Sequence, residues 1–315
     1  MKKFVLKIGF YTILIILGLE ILVRFFHLHK DRPNRYLDEY NVEKWIPNQS
    51  GIWVEGNRRM NAINYRINNF GFNSVYDEFH PRTNEQEIAL IGDSYIQGFH
   101  QDFHYSIGQK LETLLKEEYK VFEFGYAGWD LADQLHMIKA YNHLFNEIEN
   151  VIIYMEYTTD LERDTYTVSY RFSLNTAVNR FLKQIKTFVY LRDIGLMDRI
   201  IKSIDGMKNI MHGKKFTEEK ALIDQEKDDL LKLENFKKLI EQYGYDKNKN
   251  VMLLDYSLCS SQFLTYLEQN DFETIDFSAV LEASKSPTTL IYDRHWNDHG
   301  RTLIAKLLSE YIESK

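Results

Sequence analysis

A three-layer α/β sandwich built on a five-stranded, mainly parallel sheet is the fold class this sequence predicts, on three observations. From residue 87 onward, short apolar runs with strand character alternate with amphipathic stretches of helical length. The first two runs end in glycine ahead of the next helical pattern. The chain closes on a stretch whose apolar residues Leu303, Ile304, Leu307, Leu308 and Tyr311 share one face. Strands alternating with helices need crossover connections, and those put helices on both faces of a parallel sheet.

Taken in order, the first element is Phe4 to Phe26, the most apolar segment of the chain. Its 23 residues, at about 1.5 Å each, reach across a hydrocarbon layer of about 30 Å. Lys7 can reach the near interface, and Glu20 and Arg24, four apart on one helical face, can pair near the far one. The sequence after Leu19, EILVRFFHLHK, lacks the small residues of a signal-peptidase site, so a retained membrane anchor over residues 1–27 is expected. Lysine and arginine are nearly balanced across it. A signal-like N-terminal segment ordinarily leaves its short basic end in the cytoplasm, which would put the body outside the cytoplasmic membrane.

Residues 28–86 read as an irregular lead-in with turn residues at Pro33, Asn34, Pro47, Asn48, Gly51 and Gly56. The α/β domain should then occupy 87–315. Its strands are expected at Glu87 to Ile91, Lys120 to Phe124, Asn150 to Glu156, Val251 to Asp255 and Glu273 to Phe277. Helices are expected at Tyr105 to Glu118, Leu131 to Phe145, Gln262 to Gln269 and Arg301 to Ile312. The rhythm breaks at about 161–249, where charge-rich sequence including Phe216 to Tyr243 reads as a solvated helical insertion.

The 315 residues, 44% hydrophobic and 27% charged, suit a globular chain rather than a disordered one. A net charge of -7 offers no basic face to a phosphate backbone, which excludes nucleic acid as the expected partner. Cys259 has no second cysteine to pair with and reads as a small buried apolar residue.

A serine needs a base, a group to orient that base, and donors for the oxyanion. Ser94 sits where a buried strand turns into a helix, at the carboxyl edge of the sheet where open α/β folds bind ligands. Further along, Asp293-Arg294-His295 sets a carboxylate two residues from an imidazole just before the closing helix. His295 and His299, and His100 and His104, are spaced for a zinc site. Neither pair has the glutamate of H-E-x-x-H, and Gly300 after His299 suggests a turn, so no metal is expected there.

The stretch Gly92-Asp93-Ser94-Tyr95-Ile96-Gln97-Gly98 resembles the first block of the SGNH/GDSL hydrolases. Gly125-Tyr126-Ala127-Gly128-Trp129 looks like the second, with Gly128 offering an oxyanion N–H. Asp293-Arg294-His295-Trp296-Asn297-Asp298-His299-Gly300 resembles the ending of bacterial members, including those similar to alginate O-acetylation proteins. Asn69 to Phe72 and Gly18 to Arg24 also look like the wider family. The resemblance implies a flavodoxin-like strand order and acyl transfer. Ser94 would be the nucleophile, His295 the base and Asp293 its orienting acid, with Ser94, Gly128 and Thr159 lining the oxyanion hole. Thr159 stands where such families carry asparagine, leaving open a silent carbohydrate-binding or scaffold relative. The chemistry requires no metal or organic cofactor. By the same resemblance, the substrate would be an acylated carbohydrate or a small ester, with the membrane as the other partner, and the reaction hydrolysis or O-acylation of envelope or exported polysaccharide. The chain's 41 Phe and Tyr residues also fit a lipid-active hydrolase.

Overall fold

The computed structural model of the chain describes residues 2–55, 59–82, 86–172, 176–196, 218–291 and 293–315, with no side-chain detail for residue 2 or for 218–224. It divides into two compact units. One holds Met1–Arg32, Ile52–Ile63 and Ser169–Lys215, the other Pro33–Gly51, Asn64–Val168 and Phe216–Lys315.

The larger unit is the α/β domain. After the lead-in strands β1 (Arg35–Leu37), β2 (Glu43–Trp45), β3 (Ser50–Glu55) and β4 (Asn61–Arg66), the sheet begins at β5 (Glu87–Gly92). Its other strands are β6 (Lys120–Gly125), β7 (Asn150–Tyr154), β8 (Asn250–Leu254) and β9 (Thr274–Asp276). Their order is β6-β5-β7-β8-β9, and every neighbouring pair is parallel. This is the three-layer class and the flavodoxin-like order, with β7 central and the switch point between β5 and β7. Gly92 and Gly125 are register partners at the carboxyl end.

Both faces of β5 are buried, and the side to which alternate residues point decides the layers. Ile88 and Leu90 of β5 pack with Ile107 and Leu111 of α3 (Ile107–Leu114), and with Ile304 and Leu308 of the closing helix. On β6, Phe122 and Phe124 instead meet lead-in aromatics. Phe79 lies edge-on to both at 4.8 and 4.7 Å, and Phe72 to Phe124 at 5.3 Å. The lead-in thus supplies core for a strand that would otherwise be an open edge.

Three helices depart from the pattern read in the sequence. The stretch expected as one helix from Leu131 to Phe145 is α4 (Leu131–Ala140) and α5 (Asn142–Phe145), broken at Tyr141. The Tyr141 hydroxyl is tied to the buried Lys44–Asp38 ion pair, accepting from Lys44 Nζ at 2.7 Å and donating to Asp38. The expected helix at Tyr105 to Glu118 starts with a 3-10 turn, Phe103–Tyr105, before α3. The last helix runs over Asp298–Glu313, so Gly300 lies inside its first turn and the turn expected there is absent. The Asn297 side chain caps that helix by accepting the Gly300 N–H at 2.9 Å. A Cβ on Gly300 would come within 2.2 Å of the Thr288 carbonyl oxygen, so this glycine serves close packing.

In the smaller unit, α1 (Lys2–Phe25) is the one helix among the described residues long and apolar enough to cross a membrane. Within Lys3–Phe25, its most apolar 18-residue window has a mean hydropathy of 2.1 and no residue buried by protein, whereas Val23 near its end is buried. Glu20 and Arg24 pair at 2.7 Å, as their spacing suggests. Glu20 does more. Its carboxylate accepts the N–H groups of Lys186 and Thr187, at 3.0 and 2.8 Å, where a short helix, Lys186–Asp193, begins without a side-chain cap of its own. An acid from α1 therefore satisfies the orphan donors of another helix.

Candidate active site

The site lies at the carboxyl edge of β5 and is made by local geometry at two distant points of the chain. At the first, β5 ends and the four-residue helix α2 (Ser94–Gln97) begins, with Asp93 as its N-cap accepting the Tyr95 N–H at 2.8 Å. This turn presses onto the end of β6. A Cβ on Gly125 would lie 1.9 Å from the Gln97 backbone nitrogen, so only glycine lets α2 sit there.

At the second, Asp293 Oδ1 accepts both the backbone N–H of His295, at 2.9 Å, and the hydrogen on its Nδ1. One carboxylate thus fixes the turn and the imidazole tautomer together, which is why a spacing of two residues suits the pair. With the Nδ1 hydrogen given to Asp293, Nε2 presents its lone pair outward. It lies 2.8 Å from Ser94 Oγ, across 201 residues of sequence. Burial acts against the charged form of Asp293, but the two bonds from His295 prevail and hold the carboxyl below its ordinary range.

Aromatic packing holds the imidazole. The His295 ring lies between His100, stacked at 3.9 Å and 22°, and Tyr95, at 4.6 Å. The neighbouring Trp296 is 3% exposed and meets Tyr95, Tyr154 and Phe277 edge-on. Buried His100 also sets its Nε2 3.3 Å from Asp293 Oδ2, so the carboxylate lies between two imidazoles. Sequence reading weighed His100 only as a metal-ligand partner of His104. In the structure His104 turns instead to Asp102, at 2.8 Å, and His299 Nε2 to the Ser284 hydroxyl, at 2.9 Å.

Among the residues expected to bind an oxyanion, Ser94 and Gly128 have backbone N–H groups with no acceptor among the described residues. Gly128 is exposed, with φ +86° in the turn after β6. Thr159, also exposed, donates its hydroxyl to Asp160 Oδ1 at 3.0 Å. Behind Ser94 lie carboxyls that the sequence did not single out. Burial, reinforced by Glu156, pushes Asp93 up to about 7. Burial, then Asp93, pushes Asp160 well above the usual range. Cys259 is no rival nucleophile, because burial pushes its thiol up to about 12.

His100, Asp293 and His295 place possible ligand atoms within 4.8 Å of one another, as do His27, His29 and Asp31. Two ligands on a tetrahedral ion at about 2.0 Å stand about 3.3 Å apart, wider than the direct Asp293–His295 hydrogen bond. Asp31 already faces the Lys186 ammonium at 3.2 Å.

No protein-family model matches the chain, and no curated protein does. Solved structures do. A member of the lipolytic protein G-D-S-L family from Veillonella parvula is 14% identical over 73% of this chain and 100% of its own, with a TM-score of 0.38. The lipase/acylhydrolase from Enterococcus faecalis is 12% identical over 73% of this chain and 96% of its own, at 0.41. A carbohydrate acetylesterase family member from Sinorhizobium meliloti is 9% identical over 73% and 98%, at 0.38.

Proposed function

We propose that the chain is a serine-dependent ester hydrolase or O-acyltransferase of the SGNH/GDSL type. One observation carries the reading: the Ser94 hydroxyl, the His295 imidazole and the Asp293 carboxylate stand in hydrogen-bonded series at the carboxyl edge of a parallel sheet. Ser94 Oγ attacks the ester carbonyl carbon while its proton passes to His295 Nε2. The negative charge that develops on the carbonyl oxygen is met by the N–H groups of Ser94 and Gly128, with the Thr159 hydroxyl as a third donor once it leaves Asp160. Collapse of the tetrahedral species breaks the ester C–O bond, and the departing alkoxide takes the proton from His295. A second hydroxyl then repeats these steps on the acyl-enzyme. Water makes the protein an esterase, and a sugar hydroxyl makes it an O-acyltransferase.

The substrate we favour is an acetyl ester of cell-envelope or exported polysaccharide. Two features support it: the resemblance of residues 293–300 to bacterial O-acetylation proteins, and an N-terminal helix able to hold the domain at the outer face of the cytoplasmic membrane. The commitment of Thr159 to Asp160 favours the second reading, a silent relative that binds carbohydrate without turnover. Turnover of a chromogenic acetyl ester by the full-length protein, compared with Ser94→Ala, tests the first reading against the second. Hydrolysis lost with Ser94, together with fluorophosphonate labelling of Ser94, is the expected result. Background rates and no labelling in the wild-type protein would leave the silent reading.

A further inference from the structure

The smaller unit carries a feature that acyl transfer does not use. The short helix α6 (Ala177–Leu182) leaves Val178 and Phe181, three apart on one edge, each 66% exposed, and Tyr170 just before it is 74% exposed. Apolar side chains left this open to water mark a surface made for contact. The depth of this helix relative to α1 is fixed by hydrogen bonds. Arg24 donates to the Gln184 carbonyl at 2.6 Å, and Glu20 accepts the N–H groups of Lys186 and Thr187, so residues 184–187, directly after α6, lie against the last two turns of α1. Glu20 is about 7.5 Å from the end of α1 at the rise of an α-helix, within the ~5–10 Å depth at which interfacial helices bury their apolar face.

Charge agrees. From Glu20 onward the described part of this unit has nine Lys and Arg against four Asp and Glu, an excess of five positive charges in a chain whose net charge is -7. Arg180 and Lys183 belong to the same turn of chain as Phe181.

We propose that α6 is an interfacial helix. Val178, Phe181 and Tyr170 enter the headgroup–acyl boundary of the membrane that α1 crosses, and anionic headgroups neutralise the basic side chains around them. The inference rests on α1 spanning the bilayer and is independent of the acyl-transfer reading. Tethered at two points, by a span and by α6, the smaller unit is held against rotation about the axis of α1, which a single helix does not prevent.

The test uses full-length protein with Cys259→Ser and single environment-sensitive labels at Phe181→Cys, Leu14→Cys or Lys306→Cys, in vesicles of phosphatidylcholine and phosphatidylglycerol. Spin-labelled lipids carry the quencher either near the headgroup or deep in the acyl chain. The label at 181 should be blue-shifted and quenched mainly by the shallow probe, the label at 14 mainly by the deep one, and the label at 306 by neither. A label at 181 that behaves like the one at 306, while 14 is quenched, overturns the proposal. A label at 14 that escapes both probes removes its premise and overturns it as well. Replacing phosphatidylglycerol by phosphatidylcholine, or Arg180→Glu with Lys183→Glu, should lower shallow quenching at 181 by about twofold or more, since each basic residue near an anionic surface contributes attraction. Unchanged quenching would overturn the anionic part.

Discussion

His100→Ala is the perturbation that most directly asks whether the imidazole beneath Asp293 serves the site or merely fills space. The substitution removes a ring stacked at 3.9 Å on His295 and a donor 3.3 Å from Asp293 Oδ2, and leaves Ser94 and the Asp293–His295 bond in place. A hydrogen bond to a charged group contributes about 1.5–3 kcal/mol, and the His100–Asp293 contact, an electrostatic approach at 3.3 Å, belongs below that range. The ring and this contact also orient His295 and Asp293, and that loss outweighs the stronger hold of a more basic carboxylate; a net loss of about 1–1.5 kcal/mol in the transition state is roughly a 5- to 12-fold fall in kcat. The pH dependence moves in a definite direction. His100 helps to hold the Asp293 carboxyl down, so without it the carboxylate is more basic and stabilises the His295 imidazolium more. The acid limb of kcat/KM should therefore shift to higher pH, while KM for a small ester stays near its original value. His100→Gln, which keeps a donor but not the stacked ring, should recover part of kcat. The assay is initial-rate hydrolysis of a chromogenic acetyl ester across pH, alongside thermal unfolding. An alanine variant that keeps its fold, its kcat within twofold and its acid limb unmoved would refute the reasoning.

Three further outcomes are expected. Thr159→Ala should lower kcat by less than about tenfold, below the 10²–10³ typical of a fully engaged oxyanion donor, because this hydroxyl is donated to Asp160; Thr159→Asn should raise it, and steady-state rates decide both. Gly125→Ala forces a Cβ to within 1.9 Å of the Gln97 nitrogen, so α2 must lift. The expected costs are about 1–3 kcal/mol of stability and, through a displaced Ser94, about 10²-fold in kcat, read by denaturant unfolding and single-turnover kinetics. Asp93 and Glu123 are each pushed by burial up to about 7, and Asp160 well above its usual range, so all three favour the folded state while protonated. That stability is full below the ordinary carboxyl range and is lost as pH rises toward and through 7. Asp38 and Asp298, whose values are lowered, contribute stability that is full above the ordinary carboxyl range and lost only at acid pH, so it stays constant between pH 5.5 and 8. The melting temperature should thus be higher at pH 5.5 than at pH 8, with a smaller difference in Asp93→Asn.

The central strands were legible because each is a short apolar run closed by glycine or a polar turn; β5, β6 and β7 begin where that pattern begins, and β8 one residue before it. Ser94, Asp293 and His295 were legible because each sits in a local signature, a strand-to-helix turn or a D-x-H pair. What stayed hidden depends on side chains that meet only in three dimensions. The break at Tyr141 is invisible in a continuous helical pattern because its cause, the Lys44–Asp38 pair, lies 97 and 103 residues away. His100 looked like a ligand beside His104, and nothing local tells that its ring lies under one residue 195 positions further on. The early start of the last helix was readable in principle. Asn297 followed by the Gly300 N–H it accepts is a capping arrangement, but the glycine weighed against a helix there.

The convergence of Ser94 and His295 follows from topology more than from any single contact. β7 and β8 are neighbours in the sheet although 95 residues lie between Tyr154 and Asn250, so whatever intervenes must leave and return at adjacent positions. A long insertion there lengthens the crossover without moving the edge. Loop closure adds only about 0.6 kcal/mol for each doubling of length. What then sets distance at the ångström scale is rigid packing on both sides of the gap. α2 is seated on Gly125, and Trp296 is wedged among Tyr95, Tyr154 and Phe277. Tyr95 belongs to both sets, one residue after Ser94 and in contact with His295 and Trp296 alike. It follows that the Ser94–His295 distance is coupled to the Tyr95 ring, and that trimming this ring should disturb the Ser94 hydroxyl and the His295 imidazole together rather than either alone.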